Sequence, residues 1–194
     1  MTKARVDHYT SVAIVLHWLI AALVIGLIIA GLSMTKIDAL PRALRFEMIQ
    51  MHKSIGLTVL ALTLARVIWR LSHRPPPLPV AMPAWQKTVS TLTHGAFYVL
   101  LLALPVSGYL MVSASAWGVP TFYFGVIEVP HFPGFAELTP EAKKPIEGLF
   151  KETHEILAFG AIALVVLHVG AALRHHFVDK DAVLTRMAPW LRAR

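Results

Sequence analysis

Four long apolar stretches, separated by polar and proline-rich segments, dominate the chain. The pattern predicts four transmembrane helices, over about 11–34, 52–71, 92–113 and 154–177, each with roughly the 20 residues that an apolar helix needs to cross the hydrocarbon core. The first stretch is too long for the apolar part of a cleavable signal peptide. We therefore expect an all-α fold, an integral membrane four-helix bundle, in a single transmembrane domain over residues 1–194.

Two of the connectors have a distinctive composition. The proline run at 75–83 cannot be helical, because proline lacks the backbone donor and clashes with the preceding turn. The longest connector, 114–151, carries many aromatic residues and is broken by prolines. We expect it to form an outer cap loop at the membrane interface, where aromatic rings prefer to lie.

Composition agrees with a membrane protein and excludes several kinds of site. The chain is 56% hydrophobic and only 15% charged, whereas soluble domains are closer to about a quarter charged. It has no cysteine, which excludes thiolate zinc sites, cysteine-held iron–sulfur clusters and disulfides. In so apolar a chain, the net charge of +7 favours the lipid bilayer and its anionic headgroups as partners, with no role for nucleic acid.

The distribution of lysine and arginine predicts the orientation of the bundle. Ten of these residues flank the end with both termini and the proline run, with Arg66 nearby, and seven flank the other end. Because cytoplasmic loops are enriched in lysine and arginine, we expect both termini in the cytoplasm.

Four histidines lie inside the predicted spans at two matched depths: His17, His52, His154 and His168. His154 and His168 share one span, about 21 Å apart and nearly on the same helix face. With the predicted orientation, His52 and His154 share the outer level, and His17 and His168 share the inner level. An imidazole inside a bilayer is costly without a partner, so each level is a candidate metal centre.

A pair of imidazoles on facing helices suits a haem iron. Neutral imidazoles are good axial ligands, and the cores of helical bundles hold such cofactors. Haem also needs room, and Gly56 and Gly170 closely follow His52 and His168. The alternative for each glycine is close helix packing, the usual role of small residues in membrane helices. The order and depth of the four histidines favour two metal centres over packing alone.

The histidines stand in short motifs that extend over nearly the whole chain. These motifs are His17-Trp18, Met51-His52-Lys53-Ser54-Ile55-Gly56, Arg66-x-x-x-Arg70, Ala103-Leu104-Pro105-Val106-x-Gly108, Thr153-His154-Glu155, Leu167-His168 and His175-His176-Phe177. In order and spacing they resemble the prokaryotic cytochrome b561 family, related to the membrane cytochrome b subunits of nickel–iron hydrogenases and formate dehydrogenases. Thr153 departs from this pattern, since family members commonly have tryptophan there.

The resemblance implies a multi-pass protein of the bacterial inner membrane that binds two haem b groups and exchanges electrons with ubiquinone or another quinone. It supports His52 with His154 for the outer haem and His17 with His168 for the inner one. Some stand-alone family members oxidise superoxide and reduce ubiquinone, so a superoxide:ubiquinone oxidoreductase is one expected activity. The alternative is an electron-transfer subunit that anchors a dehydrogenase or another redox partner protein. A transporter using a histidine relay is disfavoured, because apolar sequence separates the two levels.

Three further residues are candidates for contacts with cofactor or quinone. Arg66 lies within a span, where a haem propionate is its natural partner and snorkelling to the interface is the alternative. His94 lies near the depth of His17, as a rival inner ligand, a quinone hydrogen-bond partner or a residue facing headgroups. His175 is placed to reach a propionate or quinone, or to face water at a helix end.

Four lysines flank the outer level: Lys53, Lys143, Lys144 and Lys151. A positive surface over a haem edge would speed the arrival of a small anion such as superoxide. The alternative is that these lysines face anionic headgroups and that neighbouring glutamates cancel much of their field.

Overall fold

A computed structural model of the chain describes residues 8–191. Four basic residues that entered the orientation prediction lie outside the described residues: Lys3, Arg5, Arg192 and Arg194.

Within residues 8–191, helices account for most of the structure. The elements are α1 (Ser11–Lys36), α2 (Arg42–Ser72), α3 (Ala84–Ser113), β1 (Thr121–Tyr123), β2 (Ile127–Val129), a 3-10 turn (Pro133–Phe135), α4 (Pro140–Arg174) and a π-helical turn (His175–Asp179). All four α-helices are long and apolar enough to cross a membrane, which confirms the predicted four-helix membrane bundle.

The bundle has two chemically different ends. We call the end with the α1–α2 turn and the two strands the hairpin end, and the end with the first and last described residues the terminal end. Consecutive helices pack against each other, α1 on α2, α2 on α3 and α3 on α4. Large apolar side chains such as Val15, Ile29, Ile68 and Val166 are exposed on the outside of the bundle, as expected of a surface solvated by lipid.

Two helices extend well beyond the predicted spans at the hairpin end. α2 begins at Arg42, so His52 lies almost three turns inside the helix and not at its start. α4 begins at Pro140, which corrects the prediction of a single loop over 114–151. Thr139 caps α4 by accepting the Ala142 N–H at 3.3 Å. Pro140 is tolerated at the first helical position because a backbone N–H there would make no hydrogen bond within the helix.

The shortened cap, 114–139, contains a β-hairpin that the proline and aromatic pattern did not predict. β1 and β2 are antiparallel, with Thr121 opposite Val129. Phe124 and Gly125 form the tip, with φ of 48° and 74°, and the Val126 N–H donates to the Tyr123 carbonyl at 3.1 Å. Positive φ at both central residues is the geometry of the tight turn that suits the twist of a hairpin.

The terminal end is closed by the residues that follow α4. The Trp18 indole N–H donates to the Met187 carbonyl at 2.8 Å, and Trp18 also contacts Trp190. Arg186 donates to the carbonyl of Pro77 in the proline connector. The final segment therefore ties α1 and the proline connector to the end of α4, next to His17.

Candidate metal centres

The four histidines within the bundle form two pairs. His52 on α2 and His154 on α4 have ring centroids 6.4 Å apart, and His17 on α1 and His168 on α4 have centroids 6.3 Å apart. The interplanar angle is 69° in both pairs. These are the pairs that the predicted depths matched, one at the hairpin end and one at the terminal end.

The spacing within each pair fits one metal ion between two imidazoles. A metal–imidazole bond is about 2 Å long and each ring nitrogen lies roughly 1 Å from its centroid, so rings on opposite sides of one metal have centroids about 6 Å apart. Imidazoles in direct hydrogen-bonded or stacked contact would lie closer than this. The centroid separation of both pairs therefore agrees with an iron held between the two rings.

The space beside the rings fits a flat cofactor. In the described chain, α4 makes at most isolated close backbone contacts with α1 and α2, although its two histidines face histidines on those helices. Gly56, one turn from His52, is half-buried, yet a Cβ there would meet no atom within 4 Å. The donor set and this space fit haem, and His17, His52, His154 and His168 are the residues that would hold it.

A hydrogen-bond network sets the orientation and tautomer of His154. Its Nδ1 lies 3.0 Å from both the Leu104 carbonyl oxygen and Ser107 Oγ, and the Ser107 hydroxyl donates to the same carbonyl at 2.9 Å. Because a carbonyl oxygen can only accept, Nδ1 must carry the proton. Nε2 therefore keeps the lone pair that a metal needs.

The backbone of α3 brings these groups to His154. Pro105 lies inside the helix, where its ring disturbs the regular hydrogen-bond ladder. Gly108 permits the close approach, because a Cβ at this position would lie 3.3 Å from His154 Cε1. Gly108 stands in a motif quoted from the sequence, whereas Ser107 was not among the predicted site residues. The available signal was a polar residue, Ser107, between Pro105 and Gly108 in an otherwise apolar span.

His52 is held differently from its partner. Its Nδ1 is buried and has no hydrogen-bond partner among the described residues. Gly31 on α1 faces the ring. A Cβ placed on this glycine would lie 3.7 Å from His52 Cε1, which is an ordinary van der Waals contact. Packing and not hydrogen bonding therefore positions this imidazole.

Aromatic rings surround the terminal-end pair. Trp18 contacts His17, with centroids 5.3 Å apart, and Phe97 contacts His168 at 5.2 Å. His94 also lies beside His168, with centroids 5.6 Å apart and rings nearly perpendicular. His94 Nδ1 lies 2.7 Å from the Ser90 carbonyl oxygen, so Nδ1 is the donor and Nε2 keeps its lone pair. His94 is thus placed close enough to serve either as a neighbour of the site or as a rival ligand.

Arg66 links α2 to α1 next to His17. Its Nη1 donates to the Ala13 carbonyl at 2.7 Å, one turn before His17. This bond accounts for one of the five donors of the guanidinium and places its charge at the terminal-end pair. The remaining donors are available to a carboxylate such as a haem propionate.

His175 belongs to a polar cluster just after α4. Its Nδ1 donates to Asp181 Oδ2 at 2.6 Å and also lies 3.4 Å from Asp179 Oδ2. The His175 side chain is only 15% exposed. The carboxylates fix the Nδ1–H tautomer, and Nε2 is left able to accept or pass on a proton.

The structure separates the four predicted steering lysines into two groups. Lys53 Nζ donates to the Pro120 carbonyl at 3.2 Å and to Thr121 Oγ1 at 3.0 Å, so it fastens the cap to α2. These contacts hold the Lys53 ammonium against the cap, and a role for its charge in steering an anion stays a prediction. Lys143 is half-buried, whereas Lys144 and Lys151 are exposed. None of these three makes an ion pair within residues 8–191.

Comparison with known proteins agrees with the chemistry of the site. A family model described as "Prokaryotic cytochrome b561" matches residues 8–190. "Cytochrome b561 homolog 2" of Escherichia coli (strain K12) is 34% identical, over 93% of this chain and 91% of that protein. "Cytochrome b561 homolog 1" of the same strain is 29% identical, over 94% and 98%. "Probable superoxide oxidase CybB" of Yersinia pestis is 31% identical, over 93% and 96%.

These matches cover the helices and all four paired histidines. The family is one of haem b membrane proteins that transport electrons. With its four membrane-crossing helices and its two imidazole pairs, the chain belongs to the prokaryotic cytochrome b561 family and is a multi-pass haem oxidoreductase of the bacterial inner membrane.

Proposed function

We propose that this protein binds two haem b groups and carries electrons across the membrane between an outer donor and quinone. His52 and His154 would hold one haem at the hairpin end, and His17 and His168 the other at the terminal end. The proposal places both termini in the cytoplasm, as the lysine and arginine distribution predicts.

One observation carries the proposal. The two imidazole pairs have almost equal centroid separations, 6.4 and 6.3 Å, each the value expected for a single metal between two rings. The members of the two pairs that share α4, His154 and His168, lie about 21 Å apart at 1.5 Å per residue. The pairs therefore lie toward opposite faces of a hydrocarbon core about 30 Å thick.

When bound, the haems would supply one-electron transfer. The chain itself supplies the ligands, the fixed Nδ1–H tautomer of His154 and an apolar surrounding that excludes water. Reduction of a quinone to quinol needs two electrons and two protons. The hydrogen bond from His175 Nδ1–H to Asp181 leaves Nε2 free to accept a proton from water and pass it on near the terminal-end site.

Superoxide is the donor we propose, and one relative is named as a probable superoxide oxidase. The overall reaction balances as two superoxide anions, one quinone and two protons giving two molecules of dioxygen and one quinol. The exposed charges of Lys144 and Lys151 lie at the hairpin end, where they would attract a small anion.

Haem stoichiometry tests the cofactor part of the proposal. A pyridine-haemochrome assay against protein mass should give close to two haem b per chain, with low-spin spectra. A value near one in fully loaded protein would contradict the pairing scheme.

Stopped-flow reduction by superoxide tests the donor. Lys144→Gln/Lys151→Gln should lower the second-order rate and flatten its dependence on salt, because steering is screened over about 8–10 Å. Lys87→Gln/Lys180→Gln removes the same charge at the terminal end and should leave the rate unchanged. A slow, salt-independent wild-type rate would make a protein donor or quinol the better assignment.

A further inference from the structure

A cleft at the terminal end is lined by cationic and aromatic side chains. It lies between the start of α1, the end of α2 and the middle of α3. Three arginines face this cleft: Arg66 and Arg70 on α2, and Arg74 just after the helix ends. None of them makes an ion pair within residues 8–191. Among the described residues that line the cleft, positive charge is therefore concentrated and no carboxylate balances it.

The walls of the cleft are held in place before any ligand binds. The Trp69 indole N–H donates to Thr10 Oγ1 at 2.8 Å, and Trp69 stacks on His73 with centroids 3.8 Å apart. Arg70 lies over the Tyr98 ring at 5.9 Å. These contacts join the three helices around the cleft and limit the conformations of its side chains, which lowers the entropy cost of binding.

The chemistry of the lining selects an oxyanion. Guanidinium groups bind phosphate through paired N–H donors, and several uncompensated arginines at a membrane interface attract anionic headgroups. A haem propionate could satisfy Arg66, but Arg70 lies one turn further along α2 and Arg74 lies beyond the end of the helix. We therefore do not expect a single propionate to contact both Arg66 and Arg74.

We propose that this cleft binds the phosphate group of an anionic phospholipid, with Arg70 and Arg74 as the principal donors. The proposal is independent of haem binding. A phosphodiester at the interface would meet the two outer arginines, and its acyl chains would continue along the exposed apolar surface that includes Ile68 and Leu71. Arg66 remains bound to the Ala13 carbonyl behind it.

Lipid titration of the purified holoprotein in phosphatidylcholine nanodiscs tests the proposal. Short-chain phosphatidylglycerol, short-chain phosphatidylcholine and inorganic phosphate are the three ligands, and native mass spectrometry counts the bound molecules. We expect one saturable phosphatidylglycerol site, weakened about tenfold in Arg70→Gln/Arg74→Gln through the loss of two charged donors. Lys36→Gln/Arg42→Gln removes two charges at the hairpin end and should leave this affinity unchanged.

The variants distinguish a built phosphate site from diffuse charge and from a propionate contact. Arg74 lies beyond the end of α2, so the Arg74→Gln variant should fold normally and still weaken binding severalfold.

Competition by inorganic phosphate supports recognition of the phosphate group. Binding of inorganic phosphate without phosphatidylglycerol overturns the lipid assignment. Equal losses in the two double variants overturn the proposal, because diffuse charge would then account for binding. Loss of haem with unchanged lipid affinity also overturns it and assigns the cleft to a propionate.

Discussion

The two imidazole pairs have the same spacing but different surroundings. At the hairpin end, His154 donates Nδ1–H to a network of Leu104 and Ser107, and a hydrogen-bonded cap lies over α2. At the terminal end, no hydrogen bond to the ring of His17 or His168 occurs within residues 8–191, and both rings pack against aromatic neighbours. The two pairs thus reach the same spacing through two different kinds of support.

The difference predicts different redox properties. A hydrogen bond from Nδ1–H to a carbonyl makes an imidazole a more basic ligand, which stabilises the oxidised iron. The guanidinium of Arg66 near His17 instead favours the reduced, less positive state. We therefore expect the lower potential at the hairpin end and the higher one at the terminal end. That order favours electron flow from the hairpin end toward the terminal end.

Removal of single ligands is expected to have the largest effect. His52→Ala or His154→Ala should lower the haem content by about one per chain and spare the terminal-end site, and His17→Ala or His168→Ala should do the reverse. The reason is that each of these histidines would supply one of the two protein ligands that hold its haem. Redox titration identifies which centre remains.

Two further variants serve as controls for the ligand series. His131→Ala, in the cap, should retain both haems. If His94→Ala removes a haem and His17→Ala does not, the terminal-end pair is His94 with His168.

Crowding at Gly108 should damage only the hairpin-end site. Gly108→Val places atoms against His154, whose Cε1 is 3.3 Å from the added Cβ position. We expect most of the hairpin-end haem to be lost, with a cost of about 1–3 kcal/mol from overpacking. Gly26→Val is the matched control, because a Cβ there meets nothing within 4 Å. Equal haem loss in both variants would contradict the close approach of α3 to His154.

The cap should loosen when its anchor on α2 is removed. Ser54 is 1% exposed, accepts the Phe124 N–H at 2.9 Å and donates to the Phe122 carbonyl at 3.1 Å. Ser54→Ala should destabilise the cap by about 1 kcal/mol, because the Phe124 N–H and the Phe122 carbonyl both lose the buried hydroxyl as a partner. Hydrogen exchange at the Phe124 amide is the measurement.

A matched serine elsewhere on α2 controls for the loss of a hydroxyl. Ser72 is exposed and bonds only within its own turn and to the adjacent His73, so Ser72→Ala should not change exchange in the cap. Protection of the Phe124 amide that survives in Ser54→Ala would show that the cap is held by other contacts.

The smallest effect is expected from Ser107→Ala. It removes one of two acceptors of the His154 Nδ1–H and leaves the Leu104 carbonyl. The imidazole becomes less basic, so the potential of the hairpin-end centre should rise by about 20–40 mV, the equivalent of about 0.5–1 kcal/mol for one electron. Spectroelectrochemical titration should show no shift at the terminal end. Thr91→Ala, an exposed hydroxyl on the same helix, should shift neither potential.

Sequence reasoning was most successful where the physics is local or periodic. A run of about 20 apolar residues has to be helical in a bilayer, because every backbone donor and acceptor must be satisfied within the chain. The positions of His17, His52, His154 and His168 in such runs then give their depths directly, since a helix rises by about 1.5 Å per residue. The membrane bundle and the matching of the histidines into two levels follow from these two rules.

Only the tertiary structure decided which groups support the histidines and which charges are free. Ser107 and His154 are 47 residues apart, and Lys53 and Thr121 are 68 apart, so no local period relates them. Lys53 reads as a surface charge in the sequence, yet the cap folds back and uses its donors. Side-chain partners across helices depend on rotation and tilt of whole elements, which many weak packing contacts determine together. The sequence by itself therefore determined the membrane helices and the depth of the histidines, whereas the tautomer of His154, the anchoring of the cap and the arginine cleft arise only when the helices are assembled.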